Sequence, residues 1–188
     1  MGKMRCDWAN TNELEAKYHD EEWGTAEHDD RKLFEMLVLE SMQAGLSWST
    51  ILKKRETLRR AYDHFDYVKI AAYDQEKIDS LLEDPGIIRN KLKINATINN
   101  AQVFMQIQEE YGSFDQFIWS YIDCKPIQNR WKEIKEVPAS TELSDKISKD
   151  LKKKGFKFLG TTTVYAFMQA TGMVNDHVQY CFKCTESE

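Results

Sequence analysis

Apolar residues recur along the chain at separations of three and four, and no segment alternates at two for long enough to suggest a strand. The pattern therefore predicts an all-α protein. After "EHDD", which offers Asp29 or Asp30 as an N-cap, "RKLFEMLVLESMQAGL" carries Leu33, Met36, Leu37 and Ala44 on one stripe. A second helix follows "LSW" in "STILKKRETLRRAYDHF". "DQEKIDSLLED" and "NKLKINATINNAQVFMQIQEEYG" read as two helices separated by "PGIIR", where Pro85 and Gly86 impose a turn. "SFDQFIWSYI" forms another after Gly112. "STELSDKISKDLKKKGFKFLG" opens on a Ser/Thr cap, spaces Leu143, Ile147 and Leu151 by four, and closes on lysines and Gly155. A last helix runs from "TTTVYAFMQATG" toward "NDHVQYCFKC". The stretch "CKPIQNRWKEIKEVPAS" reads as an irregular connection, and there is no internal repeat.

At 188 residues and 41% hydrophobic content the chain can bury one substantial core. A single domain over 1–188 is expected, in two helical lobes with the Pro-Gly hairpin near 83–90. No apolar leader follows Met1 and no run of eighteen apolar residues occurs. A cytoplasmic, membrane-free, monomeric protein with free or metal-bound thiols is expected. The net charge of -5 gives no global attraction to nucleic acid and shifts attention to local basic clusters.

Two residues of the tail change the picture. On a helix, His177 and Cys181 would share a face at the separation of two ligands of one metal ion, half of a zinc site. Cys6 and His19 are the attractive second pair, since a shared ion would clip both ends of the chain. Cys184 competes as a ligand, and His28, His64 and Cys124 complete the inventory. Four protein ligands would leave no open position, so the ion would be structural.

Glu40 is the next anomaly, a carboxylate on the stripe of Leu33, Met36 and Leu37. Buried, it needs donors or takes up a proton. Either a neighbouring helix supplies them, or a ligand does. Trp8, Tyr18, Trp23 and Trp48 cluster near it in sequence, and several flat rings with one carboxylate suit a flat cationic ring. The turn "LEDPGIIRNK" adds a third feature, backbone N–H groups at a helix start that can grip a phosphate, reinforced by Arg89, Lys91 and Lys93. Further basic clusters lie at Lys53 to Arg55, Arg59 and Arg60, and Lys152 to Lys154.

The blocks "RCDW", "YHDEEWG", "LFEMLVLESMQAGLSWSTILKKRE", "GIIRNKLKI", "GFKFLGTTTVYAFMQATG" and "VNDHVQYC" span Arg5 to Cys181. Together they resemble the constitutive, type I family of bacterial 3-methyladenine DNA glycosylases, within the helix-hairpin-helix superfamily. The resemblance implies a helical fold whose structural Zn²⁺ is held by Cys6, His19, His177 and Cys181. It implies that Glu40 recognises the base, with Tyr18 and Trp48 lining the pocket and Trp8 and Trp23 nearby. Gly86, Ile87, Ile88, Arg89 and Lys91 would form the phosphate grip. The implied activity is hydrolysis of the N-glycosidic bond of 3-methyladenine in double-stranded DNA, leaving an abasic site and free 3-methyladenine. Three departures stand out. The superfamily's Gly-x-Pro run with its catalytic aspartate is absent, residue 15 is Glu where some relatives have an aromatic, and residue 166 is Ala where some have Ser. The missing aspartate keeps open a non-catalytic sensor of alkylated bases, and an open metal position would instead suit a zinc hydrolase.

Overall fold

In the computed structural model, which describes residues 2–184, helix α2 (Asp30–Met42) is the axis around which the rest packs. Residue 1 and residues 185–188, the two ends of the 1–188 domain expected above, lie outside the described residues. Every residue of α2 from Leu33 to Met42 is buried, including Glu35 and Glu40. The expected one-sided stripe is thus a helix covered on all sides, as a run this apolar allows. Ala44, placed on the stripe, is exposed and lies beyond the helix end.

The described residues contain nine α-helices: α1 (Glu13–Glu21), α2, α3 (Trp48–Ala61), α4 (Tyr67–Ala71), α5 (Gln75–Glu83), α6 (Lys91–Tyr111), α7 (Phe114–Trp119), α8 (Glu142–Lys154) and α9 (Thr161–Ala170). Helix α2 packs on α3, α6, α7 and α9. Capping chemistry sets the starts. Asp29 accepts from Lys32 N at 3.0 Å and Asn90 from Lys93 N at 3.1 Å, while Thr141 and Ser144 form a reciprocal capping box. Asp30, the other N-cap candidate, instead accepts from the backbone N–H groups of Phe114 and Asp115, tying α7 to α2.

Three expectations change. The helix expected to reach Phe65 ends at Ala61, because Asp63, His64 and Phe65 all take positive φ of 50–56°. Such a turn costs about 1 kcal/mol or more per residue. It drives Phe65 into the core beside Tyr62, both fully buried. A small parallel pair, β1 (Ile127–Gln128) with β2 (Val174–Asn175), occurs where no strand was expected, Ile127 opposite Val174. Two residues are too few to display alternation.

The last helix also stops early, at Ala170. Gly172 follows with φ +72°, and a Cβ there would lie 2.3 Å from the carbonyl carbon of Thr25, so only glycine lets this turn sit on the segment after α1. Residues 176–184 are not helical. They run through tight turns, Cys181 N donating to Val178 O and Cys184 N to Cys181 O. Bonds to remote chain hold them there, from Gln179 N to Trp131 O and from Phe182 N to Met4 O.

An aromatic cavity around Glu40, backed by a cysteine and histidine cluster

The tail's turns bring together what a helix would have aligned. The ligand atoms of Cys6, His19 and Cys181, all buried, lie within 4.8 Å of one another. Cys181 Sγ is 3.4 Å from His19 Nε2. His177 stands beside this trio, its ring 4.9 Å from that of His19. Its Nδ1 and the Asn175 side-chain oxygen are 2.8 Å apart, while Nε2 is buried with no partner among the described residues. Since the amide oxygen can only accept, Nδ1 carries the proton and Nε2 keeps its lone pair free. His19 is arranged alike. Its Nδ1 meets Asp20 at 2.9 Å, and the Arg5 guanidinium donates to both oxygens of that carboxylate at 2.8 Å. That carboxylate falls to about 2, chiefly through the Arg5 hydrogen bond.

Both imidazoles have their outer nitrogens pinned; His19 Nε2 faces the Cys6 N–H and the Cys181 thiol, each at 3.4 Å, and His177 Nε2 has no partner among the described residues, so these side chains could serve as N and S ligands of a thiophilic cation. Burial lowers both histidines, His177 to about 3, and pushes the Cys6 thiol up to about 12. Burial thus favours the neutral forms of both imidazoles and of the Cys6 thiol, and a bound divalent ion would favour the Cys6 thiolate instead. Gly24 makes room for the His177 ring: at φ +73°, a Cβ would come within 2.5 Å of it. Cys184 falls outside the trio, as do His28, which pairs with Asp115 at 2.7 Å, and the exposed His64 and Cys124.

Glu40 is 6% exposed and forms no side-chain hydrogen bond or ion pair with the described residues. The half-buried Arg55 is spent on Glu22 and Glu35 at 2.7 and 2.8 Å. Desolvation alone raises the Glu40 carboxyl to about 8. What faces it is space, a cavity of about 330 Å³ walled by Trp8, Tyr18, Trp23 and Trp48, the four rings singled out from the sequence. Tyr18 lies 5.3 Å from Trp48, and Trp8 lies edge-on to Trp23 at 5.1 Å. The Trp48 indole N–H is buried without an acceptor among the described residues. Tyr18 is held well above its ordinary value by burial and then by Glu40.

The cavity also has walls the sequence did not reveal. Ile134 and Val137 come from the irregular connection, Gln43 from the end of α2, and Gln169 from α9. The one signal that could have pointed to Gln169 is its place one turn beyond Ala166, which lines the cavity together with Glu15. Its amide donates to the buried Asp176 at 2.9 Å, which also accepts from Asn129 and Trp131, so one carboxylate ties the connection to α9.

The cavity and the cluster share a partition. Trp8 packs on His19 at 5.4 Å and Trp23 edge-on to His177 at 4.7 Å, while both rings line the cavity.

The Pro-Gly turn joins α5 to α6 as expected, but its parts do different jobs. The N–H of Gly86 is taken by Asp84 at 2.7 Å and that of Ile87 by the Asp84 carbonyl. Ile88 and Arg89 keep N–H groups with no acceptor among the described residues, and Arg89 and Lys91 are exposed. The other basic residues divide. Arg55 and Arg59 are tied to glutamates, Lys154 pairs with Glu110, and Lys152 and Lys153 are exposed. Lys93 does not join the exposed set: it is 7% exposed and donates to Met42 O and Ala44 O.

Residues 8–184 match the methyladenine glycosylase family. DNA-3-methyladenine glycosylase 1 of Escherichia coli (strain K12) is 49% identical over 94% of this chain and 95% of its own. Among solved structures, a 3-methyladenine DNA glycosylase I superposes with a TM-score of 0.94 at 48% identity, over 97% of this chain and all of that one. The Staphylococcus aureus 3-methyladenine DNA glycosylase I, solved for its recognition of 3-methyladenine, has the same TM-score at 37% identity, covering both chains in full.

Proposed function

The chain belongs to the methyladenine glycosylase family, and from that premise we propose that it excises 3-methyladenine from alkylated double-stranded DNA. Water replaces the base at the sugar carbon, leaving an abasic site and free 3-methyladenine. The observation that carries this reading is Glu40, a buried carboxyl with no protein partner, facing a ring-walled cavity. The cavity's volume lies at the lower end of the range for small-molecule pockets.

Chemistry on a base requires that it leave the stack, and a lesion that pairs poorly costs less to extrude. N3-methylation makes the purine in DNA cationic, so it departs neutral and needs no proton from the protein. The absent superfamily aspartate is consistent with that. A carboxyl raised to about 8 is largely protonated near neutrality in the empty pocket. A cationic ring ionises it on binding, and the carboxylate then accepts from the exocyclic amine while Tyr18 and Trp48 cover the ring. Neutral adenine lacks the charge that ionises the carboxyl and is held less well.

The same reading assigns a structural zinc ion to Cys6, His19, His177 and Cys181, a set supported by the bare His177 Nε2 and the outer-nitrogen partners of both histidines. Its chemical contribution is to lock these four side chains, and with them Trp8 and Trp23. The turn between α5 and α6 acts as the phosphate grip of a helix-hairpin-helix element, through the N–H groups of Ile88 and Arg89 and the charges of Arg89 and Lys91. The protein works as a monomer in the cytoplasm. None of the described helices is long and apolar enough to cross a membrane.

Glu40→Gln tests the central claim. Losing a charge-assisted hydrogen bond should slow excision from a lesion-bearing duplex by about 10- to 100-fold and weaken binding of free 3-methyladenine, with the fold retained. An unchanged rate and affinity would remove Glu40 from the mechanism.

A further inference from the structure

Lys93 was expected to strengthen the phosphate grip, and the structure assigns it other work. It sits in the first turn of α6, and its backbone N–H donates to the Asn90 cap at the end of the hairpin. Its side chain turns inward, and the ammonium donates to Met42 O at 2.8 Å and Ala44 O at 2.7 Å. Those carbonyls end α2, the helix that carries Glu40, and begin an exposed lip at Ala44, which lines a hollow adjoining the aromatic cavity through Glu40, Gln43 and Ala166. A cation at a helix C-terminus satisfies carbonyls that have lost their intrahelical donors. Burying an ammonium without such acceptors would be costly.

One residue thus grips the hairpin through its backbone and the cavity lip through its side chain, across 51 positions of sequence. A second strut runs beside it. Helix α3 begins at Trp48 in the cavity wall and holds the hairpin further along, where Thr57 Oγ1 donates to Gly86 O and Lys54 approaches Pro85 O. Hairpin and cavity are therefore fixed at one separation, which matters only when a single DNA strand must occupy both.

We propose that Lys93 is a positioning residue for excision, one that sets the register between the gripped phosphate and the extruded base by clamping the lip to the first turn of α6. This rests on the reading of the hairpin as the phosphate grip and of the Glu40 cavity as the lesion pocket. A clamp of this kind predicts a split that loss of stability alone does not produce. Free 3-methyladenine needs the cavity only, undamaged duplex needs the grip only, and excision needs both in register.

Lys93→Met, which keeps the stem and removes the donors, should lower the single-turnover excision rate on a lesion duplex at least tenfold. Affinity for free 3-methyladenine, read by quenching of the cavity tryptophans, and affinity for undamaged duplex should each stay within threefold of wild type. Lys93→Gln, which retains a donor amide, should fall between the two; if the methionine variant does not fold, the glutamine variant decides alone, with a loss of threefold or more expected. An unchanged excision rate, or a loss of free-base affinity as large as the loss of rate, would overturn the proposal. Arg89→Ala in the same assays separates this from failure of the hairpin reading: if undamaged-duplex affinity ignores Arg89, the grip is misassigned whatever Lys93 does.

Discussion

The cysteine and histidine cluster and the Glu40 cavity lie on opposite sides of Trp8 and Trp23, and both hold buried polar groups without a full set of protein partners. They differ in what surrounds those groups. In the cluster the ligand atoms converge within a few ångströms, and partners behind them fix both imidazoles. Around Glu40 the polar groups are spread over a cavity of about 330 Å³, and nothing behind the carboxylate completes it. On the proposed reading, one site holds a permanent occupant and the other a visitor. The shared tryptophans make the first a foundation for the second.

The sharpest way to break that comparison is to remove the permanent occupant. Cys181→Ala should abolish stoichiometric zinc in elemental analysis and destabilise the fold by about 2–5 kcal/mol, the range for losing a native cross-link. Because the partition rests on His19 and His177, affinity for free 3-methyladenine should fall as well. Wild-type protein with no zinc, or a variant with intact base affinity, would separate the two sites.

The cavity side makes a pH prediction of the next size. In the unfolded chain Glu40 ionises near its ordinary 4.5, and in the folded protein only near 8. Between those values the folded state holds the extra proton, so stability that is complete below pH 4.5 is lost as pH rises, at up to about 1.4 kcal/mol per unit. Glu40→Gln removes the loss. Its stability relative to wild type should climb from pH 5 to pH 8.5 in denaturant titrations, and a flat difference would mean that Glu40 has a partner in solution.

The smallest effect concerns DNA outside the cavity. Arg89→Ala should weaken binding to undamaged duplex a few-fold and reduce the slope of log affinity against log salt by about 1. Equal slopes for variant and wild type would place the grip elsewhere.

How much of this was legible in the sequence depends on the distance over which each feature is specified. Helix starts are local, so Asp29, Asn90 and Thr141 could be read as caps from a few residues. Glu40 was legible as a misfit on an apolar helix, because its neighbours at three and four positions already predicted burial. The rings of Trp8, Tyr18, Trp23 and Trp48 could be named from sequence as a cluster, and the cavity unites them. The left-handed turn at Asp63 to Phe65 could not be foreseen. Its local cost is offset by core burial supplied from elsewhere in the chain.

By itself, then, the sequence determined the helical class, most helix starts, the misfit carboxylate and the inventory of thiols and imidazoles, since these follow from spacing within one or two turns. Only the tertiary structure decided which of those groups meet. His177 and Cys181 reach the cluster through turns rather than along a helix, held by Asn175, Trp131 and Met4. Gln169 and the residues of the irregular connection become cavity wall through Asp176. Lys93 leaves the basic surface because two carbonyls at the end of α2 are unsatisfied where α6 passes. Each of these outcomes was set by a hydrogen-bonding need in one segment that another segment, distant in sequence, was placed to meet.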